Sequence, residues 1–200
     1  MDARGIKFKN VFVQVDYMYN DTDYSLDFKA RLLALQKEPI VKEVLKEYDI
    51  SLADKYVPFY RYIMNDHLIG FREVFNLLRG TRSKTNFENG YIPIFGTHDY
   101  SIESLPNTII ESNPSINAMN EYFAEHGIQS IFFIAPLCDS TVDRDLYVEL
   151  LKTKIPVLYS YVSLYDEKDE DFYFDCGHLN TSGAQDFTRI LTNDLILNKK

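Results

Sequence analysis

The sequence has few cysteines, no tryptophan and no long apolar run. Two cysteines do not make a disulfide framework, and no Cys-x-x-Cys or Cys/His spacing indicates a metal site. We therefore expect Cys138 to be a core residue and Cys176 a small residue that fills a loop, with a reactive thiol at Cys176 as the alternative. A membrane-spanning helix needs about 20 apolar residues in a row. No such run occurs, so no membrane segment is expected in this sequence.

Basic residues are also scarce, with 21 Lys and Arg against 30 Asp and Glu and a formal net charge of -9. A protein that binds nucleic acid or an anionic membrane surface presents a basic patch to the phosphates. We therefore expect no nucleic-acid partner. The first residues have no apolar run behind them, which predicts no signal peptide in this sequence. The localisation stays unknown: cytoplasmic as the sequence stands, or the cell envelope if an export or anchor segment is missing.

The order of apolar segments predicts the fold class. Mostly apolar stretches predict strands at 10–16, 128–136 and 156–162. Helical spacing predicts helices over 26–79, 115–126, 142–153 and from about Ser182 onward, where Ser182 and Gln185 form a capping-box pattern. Strands that alternate with helices indicate a parallel sheet covered on both faces. The expected fold is a three-layer α/β/α sandwich around a short parallel sheet, with residues 1–200 forming one domain.

Sites in parallel sheets gather where the strands end. The segments that would meet at that edge are 16–20, 136–140 and 175–178. The last of these contains an Asp three residues before a His, in the run Asp175-Cys176-Gly177-His178. This spacing lets a carboxylate hold one imidazole nitrogen while the other takes a proton from a nucleophile. Asp175 and His178 are therefore the predicted catalytic pair.

The run Phe174-Asp175-Cys176-Gly177-His178-Leu179-Asn180, followed by Gly183-Ala184, resembles the last conserved block of the SGNH/GDSL hydrolase superfamily. It looks most like the branch that transfers acyl groups to cell-envelope polymers. The segment His126-Gly127-Ile128 through Ala135-Pro136 is similar to an upstream strand of that family. The resemblance implies a flavodoxin-like fold, a Ser-His-Asp triad, an ester or acylated carbohydrate as substrate, and no metal or organic cofactor. It covers about residues 10–197, and only 174–191 carries specific motif content.

The sequence departs from that family at the nucleophile, because none of its eight glycines opens a Gly-x-Ser turn. The resemblance therefore implies that the family's first strand or strands are missing and that the chain is nearly inert as a hydrolase. An open sheet edge would then favour a homodimer. Asn20 is the third predicted site residue, as an oxyanion donor, since Asn20-Asp21 matches the family's Gly-x-Asn-Asp except that Met18 replaces the Gly.

Other interpretations remain open. The chain fits a non-catalytic module that binds carbohydrate or assembles with a partner, or a plain α/β domain in which the Asp-x-x-His spacing is coincidental. Tyr17 and Tyr19 would stack on sugar rings or, more simply, pack at the core or rim. His98 beside Asp99 is a weak metal-ligand candidate, and Ser101 and Ser104 are weak replacements for the nucleophile because no strained elbow surrounds them.

Overall fold

The computed structural model describes residues 7–22, 32–33, 35–46, 50–57, 60–64, 75, 78–80, 94–96, 104–166 and 171–197. The chain divides into two compact units: a sheet unit, Met1–Thr22 with Pro93–Lys200, and a helical unit, Asp23–Ile92. Part of the helical region predicted over 26–79, together with His98 and Ser101, lies outside the described residues. That residues 1–200 form one domain stays a prediction.

The elements of the sheet unit are short. Three strands form its main sheet: β1 (Asn10–Gln14), β2 (Gln129–Ile134) and β3 (Leu158–Ser160). Two more form a separate hairpin, β4 (Tyr173–Asp175) and β5 (His178–Leu179). Its helices are a 3-10 turn (Tyr17–Asn20), α4 (Pro114–Glu125), α5 (Arg144–Lys154) and α6 (Thr181–Thr192), which runs into a π-helical turn (Asn193–Leu197). The helical unit contributes α1 (Pro39–Lys46), α2 (Leu52–Tyr56) and α3 (Tyr60–Met64).

The main sheet is parallel, with β2 between β1 and β3. Val13 of β1 is opposite Phe132 of β2, and Phe132 is opposite Leu158 of β3. A mixed α/β fold with a short parallel sheet is therefore confirmed. All three strands are shorter than the apolar runs that predicted them, because the outer residues of those runs continue past the ladder as loops.

Both faces of this sheet are packed, and neighbouring residues of β2 point to opposite sides. Phe132 and Ile134 belong to a buried cluster with Tyr147 and Leu151 of α5, against which Ile116 of α4 also packs. The cluster on the other side is formed by these residues: Phe133 of β2, Phe187 of α6, and Cys138, Tyr165, Tyr173 and Cys176 from the segments around the hairpin. The apolar character of β2 thus reflects burial on two sides.

Two details of the predicted helices are wrong. The spacing of apolar residues in 142–153 predicts Leu146, Leu150 and Leu151 as the inward positions; Leu151 is fully buried, but Leu146 is 47% exposed and its neighbour Tyr147 is fully buried. The last helix has no capping box at Ser182. Its N-cap is Asn180, whose side-chain oxygen accepts a hydrogen bond from the Gly183 amide at 3.0 Å. Asparagine is as good an N-cap as serine, and Asn180 is the buried one of the two.

The helical unit has a small core of its own. Leu33, Val41 and Leu45 are buried together, with Leu32 and Ile50 packed against them. Pro39 opens α1, as its fixed backbone angle predicts. Across the ranges that are described, no helix is both long and apolar enough to span a bilayer.

The buried hydroxyl of Tyr147 should make the stability of the protein depend on pH in the alkaline range. Tyr147 is fully buried and its hydroxyl donates to the Asp16 carbonyl at 3.2 Å. Burial, and to a smaller extent the Asp16 carboxylate, raises the pKa of Tyr147 to about 12. The pKa of an unfolded tyrosine is about 10. The stability supplied by the neutral phenol is thus fully present below about pH 10 and is lost as the pH rises through about 12.

Tyr147→Phe should therefore unfold with a free energy about 1 kcal/mol lower at pH 8, because the hydrogen bond is lost. Between pH 10 and 12 its stability should fall less steeply than that of the wild type, by about 1 kcal/mol per pH unit. Urea unfolding at pH 8, 10 and 11 measures both effects. Equal slopes in the two proteins would show that Tyr147 is not the group that titrates.

Candidate functional site

Three loops converge where β1 and β2 end, as the strand order predicts. Asp16 follows β1, Leu137 and Cys138 follow β2, and the hairpin brings Gly177 to the same place. A pocket of about 30 Å³ lies there, lined by Asp16, Tyr17, Ile134, Leu137, Tyr147 and Gly177 among others. A cavity of that size holds about one water molecule. The residues that line it are mainly apolar, and Asp16 is the charged residue among them.

The hairpin brings Asp175 and His178 together. Nδ1 of His178 lies 2.8 Å from Oδ1 of Asp175, and the same oxygen accepts the Gly177 amide at 2.9 Å. A carboxylate only accepts, so Nδ1 carries the hydrogen in this arrangement. Nε2, on the far side of the ring, has no hydrogen-bond partner among the described residues. The His178 side chain is 66% exposed and that of Asp175 29%, so the ring faces solvent and the carboxylate lies behind it.

The backbone after the hairpin fixes where this pair stands. The Asn180 amide donates to the Phe172 carbonyl at 2.9 Å, and its side-chain Nδ2 donates to the Asp171 carbonyl at 2.6 Å. Because Asn180 also caps α6, one buried side chain joins both strands of the hairpin to the start of the helix. Thr181 adds a bond from its amide to the Ile94 carbonyl at 2.8 Å. Asn180 was not predicted as a cap, although an Asn before an amphipathic run is a sufficient signal for one.

Cys138 and Cys176 form a disulfide, with a Cα–Cα distance of 4.8 Å. Both are buried, as expected, but the interpretation of them as a core residue and a loop filler missed the bond. Two cysteines 38 residues apart do not indicate pairing by spacing alone. The fold brings them together, because one follows the central strand and the other lies inside the hairpin. The alternative of a reactive thiol at Cys176 does not apply to this disulfide-bonded form.

Arg144 is a second residue that the sequence did not single out. Its side chain is only 11% exposed, and its guanidinium forms a two-pronged ion pair with Asp166. The same group donates to the Leu137 carbonyl at 3.2 Å, in the loop that follows β2. The bond to Asp166 raises the pKa of Arg144 further above its usual range. Arg144 therefore stays charged, and its bond to the Leu137 carbonyl anchors the loop that follows β2.

Asn20 is the last residue of the 3-10 turn that follows β1. Its Nδ2 donates to the Thr108 carbonyl at 2.8 Å, and its Oδ1 accepts the Ile110 amide at 3.0 Å. These two bonds fasten the 108–110 segment to the 3-10 turn. They use one of the two Nδ2 hydrogens, so a role as oxyanion donor would depend on the second. The structure places Asn20 with Thr108 and Ile110, and that oxyanion role stays a prediction.

The remaining candidates contribute little to this arrangement. Ser104 pairs with Val142 in an isolated bridge, and its hydroxyl is 3.5 Å from the neighbouring Leu105 carbonyl. Within the part of the chain that the structure describes, no group of three or more His, Cys, Asp or Glu side chains is placed to hold a metal ion. The Asp175–His178 pair is therefore the acid-base centre with the clearest geometry.

Comparison with protein-family models, with curated proteins and with solved structures found no match to this chain. The resemblance of residues 174–191 to the SGNH/GDSL block is thus an interpretation of the motif and of the geometry described above.

Proposed function

We propose that Asp175 and His178 are the acid-base part of an SGNH-type site for ester hydrolysis or O-acyl transfer. The observation that carries the proposal is the 2.8 Å contact between Asp175 Oδ1 and His178 Nδ1, at the edge where β1 and β2 end. Helices α4 and α5 on one face and α6 on the other fit the three-layer sandwich of that family. The position of α6 directly after the pair also fits its last conserved block.

In this proposal Nε2 of His178 takes the proton from an attacking hydroxyl, and Asp175 stabilises the imidazolium that forms. The Gly177 amide holds the carboxylate so that it keeps facing Nδ1. Asn20 would donate its second Nδ2 hydrogen to the oxyanion. The hydroxyl belongs to a serine that the family carries in a Gly-x-Ser turn, and the present sequence has no such turn.

An acylated carbohydrate of the cell envelope is the substrate class that we propose. Tyr17 lines the pocket and is 46% exposed, and an aromatic ring at a pocket rim is a common contact for a sugar face, whereas Tyr19 is buried in the core. The disulfide is consistent with an oxidising compartment, since disulfides rarely persist in a reducing cytoplasm. The homodimer through an open sheet edge stays a prediction.

A non-catalytic module that binds carbohydrate is the second candidate function. Two observations favour it: the missing Gly-x-Ser turn and the exposed Tyr17 beside a pocket of only about 30 Å³. Such a module would bind an acylated sugar without transferring the acyl group, and His178 would contribute only a hydrogen bond.

A small alcohol added in excess tests the acid-base role, because it supplies the hydroxyl that the site would activate. With p-nitrophenyl acetate and about 1 M ethanol, the protein should form ethyl acetate at least about tenfold faster than His178→Ala, since general-base catalysis contributes about 100-fold or more when geometry is good. Asp175→Asn should lose a comparable factor because the imidazole is no longer held in the correct tautomer. Gas chromatography of ethyl acetate measures the rate.

His126→Ala is the matched control, because His126 is exposed at the end of α4 and its Nδ1 lies 2.8 Å from the Tyr122 carbonyl of its own helix. It should leave the rate unchanged. Without alcohol, the protein and His178→Ala should differ by less than about 100-fold, since loss of a nucleophile from a triad costs about a million-fold. A larger difference without alcohol would reveal a nucleophile within this sequence. Equal rates with alcohol for the protein and His178→Ala would favour the binding module.

A further inference from the structure

A disulfide links the turn that carries Asp175 and His178 to the loop after the central strand β2. Cys176 lies directly after Asp175 and two residues before His178, and its disulfide partner Cys138 follows β2. The hairpin is not part of the main sheet, because β4 and β5 pair only with each other among the described strands. Besides the disulfide, one backbone bond joins the two loops, from the Cys138 amide to the Cys176 carbonyl at 3.3 Å. That distance is long for a backbone hydrogen bond.

We propose that the Cys138–Cys176 disulfide, together with the Asn180 bonds, positions the Asp175–His178 pair, so that the pair is assembled in the oxidised protein and released when the disulfide is reduced. The inference rests on the proposed function for the meaning of the pair, but its geometry stands independently. The same site would then be active in an oxidising compartment and idle under reducing conditions.

The reduction is an ordinary exchange with a dithiol. A thiolate of the dithiol attacks one sulfur, the Cys138–Cys176 bond breaks, and the other cysteine leaves as a thiolate that takes up a proton. The second thiol of the reagent then displaces the first cysteine, so that two electrons and two protons reach the protein and the dithiol becomes a disulfide.

Ser140 is placed to assist this exchange. Its hydroxyl lies 3.0 Å from Cys138 Sγ and 3.3 Å from Cys176 Sγ, so it can donate to whichever sulfur leaves. The two cysteines are 6% and 2% exposed, whereas Ser140 is at the surface. A reductant therefore reaches the sulfurs when the 138–141 loop opens, and the reaction starts at the loop that also borders the site.

Loss of the disulfide should loosen the turn at Cys176 more than the rest of the sheet unit. Asp175 and Gly177, the residues on either side of Cys176, are bonded to each other through the carboxylate. Once Cys176 is free to move, the carboxylate no longer has a fixed direction relative to the imidazole. The His178 ring then takes up the Nε2–H tautomer that free histidine side chains prefer.

The tautomer of each histidine ring is visible in long-range ¹H–¹⁵N NMR spectra, recorded here at pH 8 before and after complete reduction with dithiothreitol. In the oxidised protein His178 should carry its proton on Nδ1. After reduction it should shift to mainly Nε2–H, and the Gly177 amide should exchange with solvent at least about tenfold faster. His126 is an internal control, since its Nδ1 faces a carbonyl of its own helix at 2.8 Å and should keep its proton.

Methyl signals of Ile131 and Leu151 report whether the core stays intact, and Cys138→Ala/Cys176→Ala repeats the test without reductant. An unchanged His178 tautomer in the reduced protein would overturn the positioning role. Collapse of the methyl signals in both the reduced protein and the double variant would also overturn it, because the effect would then be global. If His178 lacks the Nδ1 proton in the oxidised protein, the pair itself and the proposed function are wrong.

Discussion

Cys138→Ala/Cys176→Ala should unfold with a free energy about 4 kcal/mol lower than that of the oxidised wild type. The disulfide closes a loop of 38 residues, and a cross-link of that length removes about this much conformational entropy from the unfolded chain. Domains of this size are stable by about 5–15 kcal/mol. The variant should therefore remain folded at room temperature but melt many degrees earlier. Urea unfolding followed by circular dichroism measures the difference.

Comparing the reduced wild type with the double variant separates the stability contributed by the cross-link from that contributed by the packing of the sulfur atoms. It keeps both sulfur atoms in the core, so its loss of stability reports the cross-link alone, and the double variant should lose only slightly more. Oxidised and reduced wild type with equal urea midpoints would show that the bond contributes nothing to stability. Such a result would also weaken the case that the hairpin depends on it.

The positions of the main-sheet strands along the chain could be predicted from the sequence, because burial on two sides leaves a continuous apolar run bounded by polar residues. The segment Ser130-Ile131-Phe132-Phe133 belongs to such a run, and it lies in the central strand β2. The inward positions of α5 were harder. Leu146 is the more apolar of two neighbours, yet Tyr147 is the buried one, because the packing of α5 against the sheet decides which of its faces is covered. That packing is a tertiary property.

The contacts of the candidate site also divide into those that could be predicted from the sequence and those that could not. The Asp175–His178 contact was predictable, since both residues lie in one tight turn and their spacing limits where the side chains can go. The disulfide and the Arg144–Leu137 bond were not, because each joins segments whose distance in space depends on the whole sheet. Asn20 shows that a position next to the site in the sequence does not establish which contacts a residue makes. Its place after β1 suggested a role at the site, yet the bonds that the structure shows are made with residues 108 and 110, far along the chain.

Gly183→Ala should lower the free energy of unfolding by roughly 3 kcal/mol, although alanine favours helices by about 1 kcal/mol over glycine. A Cβ at Gly183 would lie 2.2 Å from the Phe172 carbonyl oxygen and 3.0 Å from its carbonyl carbon. This is a backbone group, and it already accepts the Asn180 amide at 2.9 Å. It cannot withdraw without breaking the bond that ties the hairpin to α6. The helix requires glycine here because a backbone passes against it.

Ser182→Ala is the matched control, one residue earlier in the same helix and exposed. It should change the stability by no more than about 0.5 kcal/mol. Thermal melts of both variants make the comparison, and the His178 tautomer reports the local effect. If the Phe172 backbone is displaced, the hairpin moves with it and the Asp175–His178 bond weakens. If Gly183→Ala is as stable as Ser182→Ala, the close approach of Phe172 to α6 is incorrect.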